Sequence, residues 1–214
     1  PDLRKMETKK SSRKLKVKLN EVYTPREALN PLLPYLKKDW RIWECASGKG
    51  HIAKYLRDEG FKVIEGQDFF NESYMEETDV IITNPPYSNK DDFLERAYIL
   101  GKPFAFLLPI ESLGAKKRGL LYKEYGIQLI VPHERINFII PSGKKSAWFP
   151  TAWFCWQLNL PRDLMFVELQ KSGEITKSLQ DFPMENIIIA KSDKSSEDLP
   201  SPETVVSASP TGRI

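Results

Sequence analysis

From Arg41 to Leu158, short apolar runs of strand length alternate with segments of helical period. That alternation is the βαβ signature, and it restricts the chain to an α/β fold built on a sheet. Arg41-Ile42-Trp43-Glu44 reads as a first strand, and Gly50 to Asp58 as a helix with Ile52, Ala53 and Leu56 on one face. Phe61 to Ile64 reads as the second strand and Asp79 to Thr83 as the next clear one. Asp91 to Leu100 is helical, facing Phe93, Leu94, Ala97 and Tyr98 inward, and Phe104 to Leu108 is a buried strand. Leu113 to Tyr125 reads as a helix weakened by Gly114 and Gly119, and Ile127 to Val131 and Thr151 to Leu158 as late strands. About fifteen residues separate the second strand from Val80, too few for a helix–strand–helix unit. That part of the sheet is expected to be trimmed to a short segment around Asp68-Phe69-Phe70.

The 214 residues suffice for one domain with a full core, placed at 21–190 between a basic flexible arm (1–20) and a tail (191–214) rich in Ser, Pro, Asp and Glu that is expected to be disordered. The arm sets eight Lys/Arg against Asp2 and Glu7, which fits either a phosphate-binding arm or a solvated terminus. The longest apolar stretch, Phe104 to Ile110, is too short to span a bilayer, and the polar, basic start has no signal-peptide pattern. No membrane association is therefore expected. Cys45 and Cys155 make no disulfide framework and fit a reducing compartment; with only two histidines, a metal site is not expected.

Asn84-Pro85-Pro86-Tyr87 follows the apolar run ending at Thr83. A strand ending this way places a stiff cluster of carbonyls and an aromatic ring at a sheet edge, where a planar amino group can be held while it reacts. Asn84 offers a side-chain carbonyl and Pro85 a backbone carbonyl, and proline keeps the segment rigid. Upstream, Glu44-Cys45-Ala46-Ser47-Gly48-Lys49-Gly50 is a glycine loop between strand and helix, at the carboxyl end of a strand, where open α/β sheets bind ligands. It has neither the Walker spacing nor the third glycine of the dinucleotide fingerprint. Glu65, at the end of the second strand, can hydrogen-bond both hydroxyls of a ribose, and Asp68 can meet an adenine amino group; each can also be a solvated turn carboxylate. Loop and carboxylate together suggest an adenosine-bearing cofactor held without a pyrophosphate clamp.

In this order the motifs resemble those of the class I S-adenosylmethionine-dependent amino-methyltransferases, specifically the adenine-N6 group of bacteriophages and restriction–modification systems. Tyr23-Thr24-Pro25 resembles the N-terminal cofactor-binding motif, Glu44 to Gly50 the glycine loop, and Glu65 with Asp68-Phe69-Phe70 the next two motifs in compressed form. Asn84-Pro85-Pro86-Tyr87 resembles the catalytic motif, and Ile136-Asn137-Phe138 is similar to the late motif whose aromatic residue contacts the base. The resemblance runs from about Val22 to Gln157. It implies a Rossmann-like class I methyltransferase sheet, mostly parallel with an antiparallel late strand. It implies S-adenosylmethionine as cofactor, bound by Tyr23, Thr24, Pro25, Glu44, Ala46, Gly48, Gly50, Glu65, Asp68 and Asn84. It implies catalysis by Asn84, Pro85, Pro86 and Tyr87, with Tyr87 and Phe138 against the target base. The implied partner is nucleic acid, DNA ahead of RNA, and the implied location is the cytoplasm of a bacterial or phage-infected cell.

Around this core, several residues read two ways. Phe138 serves either the base or an ordinary core. Trp148 and Phe149, after Gly143-Lys144-Lys145, combine aromatic and basic character, as a stacking and phosphate contact to nucleic acid by Lys144, Lys145 and Trp148 or as a hairpin packing cluster. Lys116-Lys117-Arg118 is a basic rim or a solvated helix face, and His51 and His133 read as structural. Adenine N6 in DNA is the leading substrate. The alternatives are another planar amine (adenine in RNA, cytosine N4 or a protein glutamine) and an inactive nucleic-acid-binding subunit of the same fold.

Overall fold

The computed structural model describes residues 22–66, 69–70 and 76–169. The basic arm, the acidic tail and Asp68 lie outside these. Strands run at Arg41–Glu44 (β1), Lys62–Glu65 (β2), Val80–Thr83 (β3), Phe104–Pro109 (β4), Gln128–Pro132 (β5), Phe138–Ile139 (β6), Lys145–Ser146 (β7), Thr151–Trp156 (β8) and Leu164–Val167 (β9). The α-helices are His51–Asp58 (α1), Lys90–Leu100 (α2) and Lys116–Tyr125 (α3), with 3-10 turns at Arg26–Ala28, Leu33–Tyr35, Tyr87–Asn89 and Ile110–Leu113.

The main sheet has the order β2-β1-β3-β4-β8-β5-β9. β2, β1, β3 and β4 pair in parallel; β8 runs antiparallel to both β4 and β5, and β9 is parallel to β5. This is a Rossmann-like sheet, mostly parallel, with one reversed late strand. The pleat divides its side chains between two cores. Ile42, Ile82, Ala105, Leu107, Ile130 and Trp153 face α1 and the N-terminal turns. Trp43, Ile81, Phe104, Phe106, Leu129 and Phe154 face α2 with Phe93, Leu94 and Ala97. The Trp153 indole is fully buried and donates to the Ala28 carbonyl at 2.7 Å, tying the N-terminal segment to the centre of the sheet.

Among the described residues between β2 and β3 there is no strand, as the short spacing requires. Phe69 fills the gap instead: it is buried, stacked on Phe93 at 4.8 Å and edge-on to Phe106 at 6.1 Å. β2 is consequently an edge strand. Three features depart from expectation. The helix expected from Leu113 begins at Lys116, because residues through Leu113 form a 3-10 turn and Gly114 and Ala115 are extended. The β6–β7 hairpin, two residues per strand, is too short to leave a periodic signal. β9 carries four apolar residues in a row, but Leu164 and Phe166 are exposed and the strand is an edge.

Candidate active site

The carboxyl ends of β1 and β3 meet the N-terminal segment around a cavity of about 510 Å³. That volume lies within the ~300–1,000 Å³ of small-molecule sites. Tyr23, Thr24, Glu44, Ala46, Gly48, Asn84 and Pro86, all singled out by sequence, line it together with Cys45, Ser47, His51, Ile52 and Gly66.

The loop after β1 turns on two left-handed glycines, Gly48 at φ +53° and Gly50 at φ +74°. The Gly50 amide donates to the Ser47 carbonyl at 2.6 Å, and the Gly50 carbonyl accepts the first helical bond of α1, from Lys54 N at 2.8 Å. A Cβ on Gly50 would sit 3.2 Å from Glu65 Oε2, the tip of a side chain that can give way, so it is the left-handed backbone that demands glycine. Gly50→Ala is expected to destabilise the protein by about 1–2 kcal/mol and to weaken ligand binding, checked by thermal unfolding and titration.

Glu44, at the end of β1, is 1% exposed. Its Oε1 accepts from Thr83 Oγ1 at 2.5 Å and from the Ala46 amide at 3.2 Å, while Oε2 has no partner among the described residues. Burial pushes its carboxyl up to about 8 despite those two bonds, so it is mostly protonated at neutral pH. Burial likewise raises the Cys45 thiol, with the Glu44 charge adding to the effect, which leaves it unreactive.

Asn84 leaves β3 and donates from Nδ2 to the buried Thr24 Oγ1 at 3.1 Å. Its Oδ1 is buried without a partner among the described residues. Thr24 is held in turn because Tyr23 and Ile139 exchange both backbone bonds, at 2.8 and 2.9 Å. Pro25 is buried and starts the first 3-10 turn, with the Ala28 amide on its carbonyl at 3.1 Å. Beyond Pro85, the Pro86 carbonyl closes the next turn with Asn89 N at 2.9 Å.

Tyr87 is buried. Its ring lies edge-on to Phe149 at 5.5 Å, and burial raises its phenol, which stays protonated. Phe138 is 3% exposed and belongs to the core. Phe149 lies 6.5 Å from it, between it and Tyr87. The half-buried ring nearest Tyr87 is thus Phe149, eleven residues further on. It belongs to the segment after Gly143-Lys144-Lys145 that the sequence offered as a stacking contact or a hairpin packing cluster.

Other expected contacts are engaged within the protein. Glu65 Oε1 pairs with Arg57 at 2.6 Å, at the rim beside Gly66. Lys145 pairs with Glu27 at 3.0 Å, whereas Lys144 is exposed at the hairpin turn and Trp148 is 37% exposed. Of Lys116-Lys117-Arg118, the first two are exposed on the helix face, and two of the three are paired within the fold. Arg118 is buried, pairs with Asp91 and donates to the Ser112 carbonyl at 2.6 Å, and Lys117 pairs with Glu95 at 2.6 Å. The acidic face of α2 neutralises these cations, and they serve as a tie between helices. The Lys49 Nζ lies 5.0 Å over the Tyr23 ring. His51, read as structural, lines the cavity and stacks on the other aromatic partner of this cluster, Tyr23, at 4.8 Å. Its position directly after Gly50 was the one available signal.

Among the described residues, no group of three or more His, Cys, Asp or Glu side chains could hold a metal ion, and no helix is long and apolar enough to cross a membrane.

No protein-family model matches the sequence, and no curated protein matches it. Among solved structures, several are similar to it at low identity. A Listeria monocytogenes protein assigned to the class I S-adenosylmethionine-dependent methyltransferases is 14% identical, with a TM-score of 0.44 over 73% of this chain and 68% of its own. The modification subunit assigned to a type I restriction enzyme of Vibrio vulnificus is 13% identical, with a TM-score of 0.42 over 64% of this chain and 44% of its own. A TehB-like SAM-dependent methyltransferase of Corynebacterium glutamicum is 12% identical, with a TM-score of 0.37 over 73% of this chain and 100% of its own.

Proposed function

We propose that this protein is an S-adenosylmethionine-dependent methyltransferase acting on the exocyclic N6 amine of adenine in DNA. The observation that carries the reading is Asn84: its side-chain carbonyl is buried and unpartnered on the wall of a cavity shared with the glycine loop. The cavity's residues fit the cofactor, since the unpartnered Glu44 Oε2 suits a cationic ligand and the loop allows close approach. When bound, S-adenosylmethionine supplies an activated methyl group on a sulfonium centre.

The residues of the chain do the positioning. An adenine amine is a poor nucleophile because its lone pair is delocalised into the ring. Asn84 Oδ1 and the Pro85 carbonyl would accept its two hydrogens, drawing the nitrogen toward a tetrahedral arrangement with the lone pair free. Thr24 holds the Asn84 amide in place, so these dipoles are set before the substrate arrives. Tyr87 would stack on the base once it leaves the duplex, because N6 cannot be reached within the stack. A planar base between two parallel rings needs about 7 Å between them, more than the 5.5 Å separating Tyr87 and Phe149. Phe149 would therefore shift to admit it, and Phe138 would support Phe149 from the core. Lys144 and Trp148 would meet the nucleic acid from the hairpin.

The test is incubation with methyl-labelled cofactor and unmodified DNA, total RNA or protein, followed by identification of the labelled product. N6-methyladenine in DNA is expected. Label in RNA, on cytosine N4 or on glutamine would reassign the substrate, and no label despite cofactor binding would overturn the activity.

A further inference from the structure

Three buried polar atoms belong to residues lining the cavity and have no hydrogen-bond partner among the described residues: Asn84 Oδ1, Glu44 Oε2 and His51 Nδ1. Buried polar groups in folded proteins are overwhelmingly paired, so such a set marks where a ligand completes the bonding. The amine to be methylated accounts for Asn84. The other two residues bracket the glycine loop, Glu44 before it at the end of β1 and His51 after it as the first residue of α1. Glu44 is nine-tenths buried and more, and so cannot turn to solvent for a partner.

The His51 ring is clamped. One face stacks on Tyr23 at 4.8 Å and 14°, and its edge meets Tyr55 at 6.4 Å. Burial, helped by the Lys49 charge, lowers its pKa, so it is neutral at pH 7. A neutral imidazole carries one N–H, which can reside on Nδ1. A carboxyl and an imidazole N–H at the two ends of one loop complement a zwitterionic α-amino-acid head, which carries its ammonium and its carboxylate on one carbon.

We infer that His51 Nδ1 donates a hydrogen bond to the carboxylate of the ligand's α-amino-acid head, while Glu44 Oε2 receives its ammonium. His51 is thus a ligand-binding residue, and Tyr23 and Tyr55 position it. This rests on the methyl-transfer reading, because the ligand with such a head is the methyl donor or its product.

The experiment is calorimetric titration with S-adenosylhomocysteine, which carries the head, and with 5′-methylthioadenosine, which lacks it. His51→Phe keeps a ring to stack on Tyr23 and removes Nδ1. It should bind S-adenosylhomocysteine about 10- to 100-fold more weakly and 5′-methylthioadenosine within about 3-fold of wild type. His51→Asn, whose amide can occupy the place of Nδ1, should recover most of the loss; His51→Gln, whose amide falls near Nε2, should not. Equal affinity of His51→Phe and wild type for S-adenosylhomocysteine would overturn the inference, as would an equal loss for both ligands. Equal behaviour of the Asn and Gln variants would overturn it too, and this comparison decides the matter if the Phe variant does not fold. Wild-type protein that binds neither ligand would overturn the methyl-transfer reading itself, an outcome distinct from the others.

Discussion

Asn84→Ala should lower the methyl-transfer rate by about 10²–10³-fold, the usual effect of removing one preorganised polar group from a reacting centre. Affinity for S-adenosylhomocysteine should change by no more than about 3-fold, since in the proposed role the lost atom meets the amine and not the cofactor. The fold should survive, because Asn84 is half-buried at the end of a strand and the change removes its hydrogen bond to Thr24. Losing that bond should cost about 1 kcal/mol. Asn84→Asp is informative beside it. The carboxylate keeps an acceptor for the amine, and the Thr24 hydroxyl can reverse its role and donate, so part of the activity should return. Single-turnover rates with saturating cofactor, with affinity measured in parallel, separate the two effects. An alanine variant that transfers methyl at the wild-type rate would remove Asn84 from the mechanism.

The second large effect concerns pH. Glu44 binds its proton far more tightly folded than unfolded, rising from 4.5 to about 8 through burial. Between these values the folded state holds a proton that the unfolded state has released. Stability is therefore fully present below about pH 4.5, falls as pH rises through that window, and levels off above about 8. At 1.36 kcal/mol per pKa unit, the loss is on the order of 4–5 kcal/mol. Glu44→Gln keeps the shape and cannot ionise, so its stability should not fall with Glu44's titration. The difference between wild type and variant isolates Glu44 from the opposing contribution of His51, whose lowered pKa makes stability rise with pH near 6.5. Denaturant unfolding from pH 5 to 8.5 measures it. Parallel curves for the two proteins would mean that Glu44 is ionised in the folded state. A cationic ligand against Oε2 should favour the ionised carboxylate, so binding at neutral pH should release protons to the buffer.

Most strands and helices were legible because their signals are local. β1 was bounded correctly at Arg41–Glu44, and α1 and α2 bury the residues that their periodicity marked. The trimmed third-strand region followed from chain length alone. Elements whose burial depends on distant partners were not legible. β9 is apolar throughout yet half-exposed, and takes strand form by pairing with β5, some thirty residues back. The cations of α3 look solvated or ligand-binding in sequence, but Asp91, Asp92 and Glu95 of α2 claim Lys117 and Arg118.

The candidate site divides in the same way. By itself the sequence determined the alternating α/β order, the glycine loop after the first strand and the Asn-Pro-Pro-Tyr segment after the third, because each is encoded by residues adjacent in the chain. Only the tertiary structure decided what those segments can reach. The bridge between Tyr23 and Ile139 lays Thr24 against Asn84 and Tyr23 against His51. Phe149 meets the Tyr87 ring, and burial raises the Glu44 carboxyl. These depend on desolvation and on contacts across the whole fold, and neither is written in the spacing of residues along the chain.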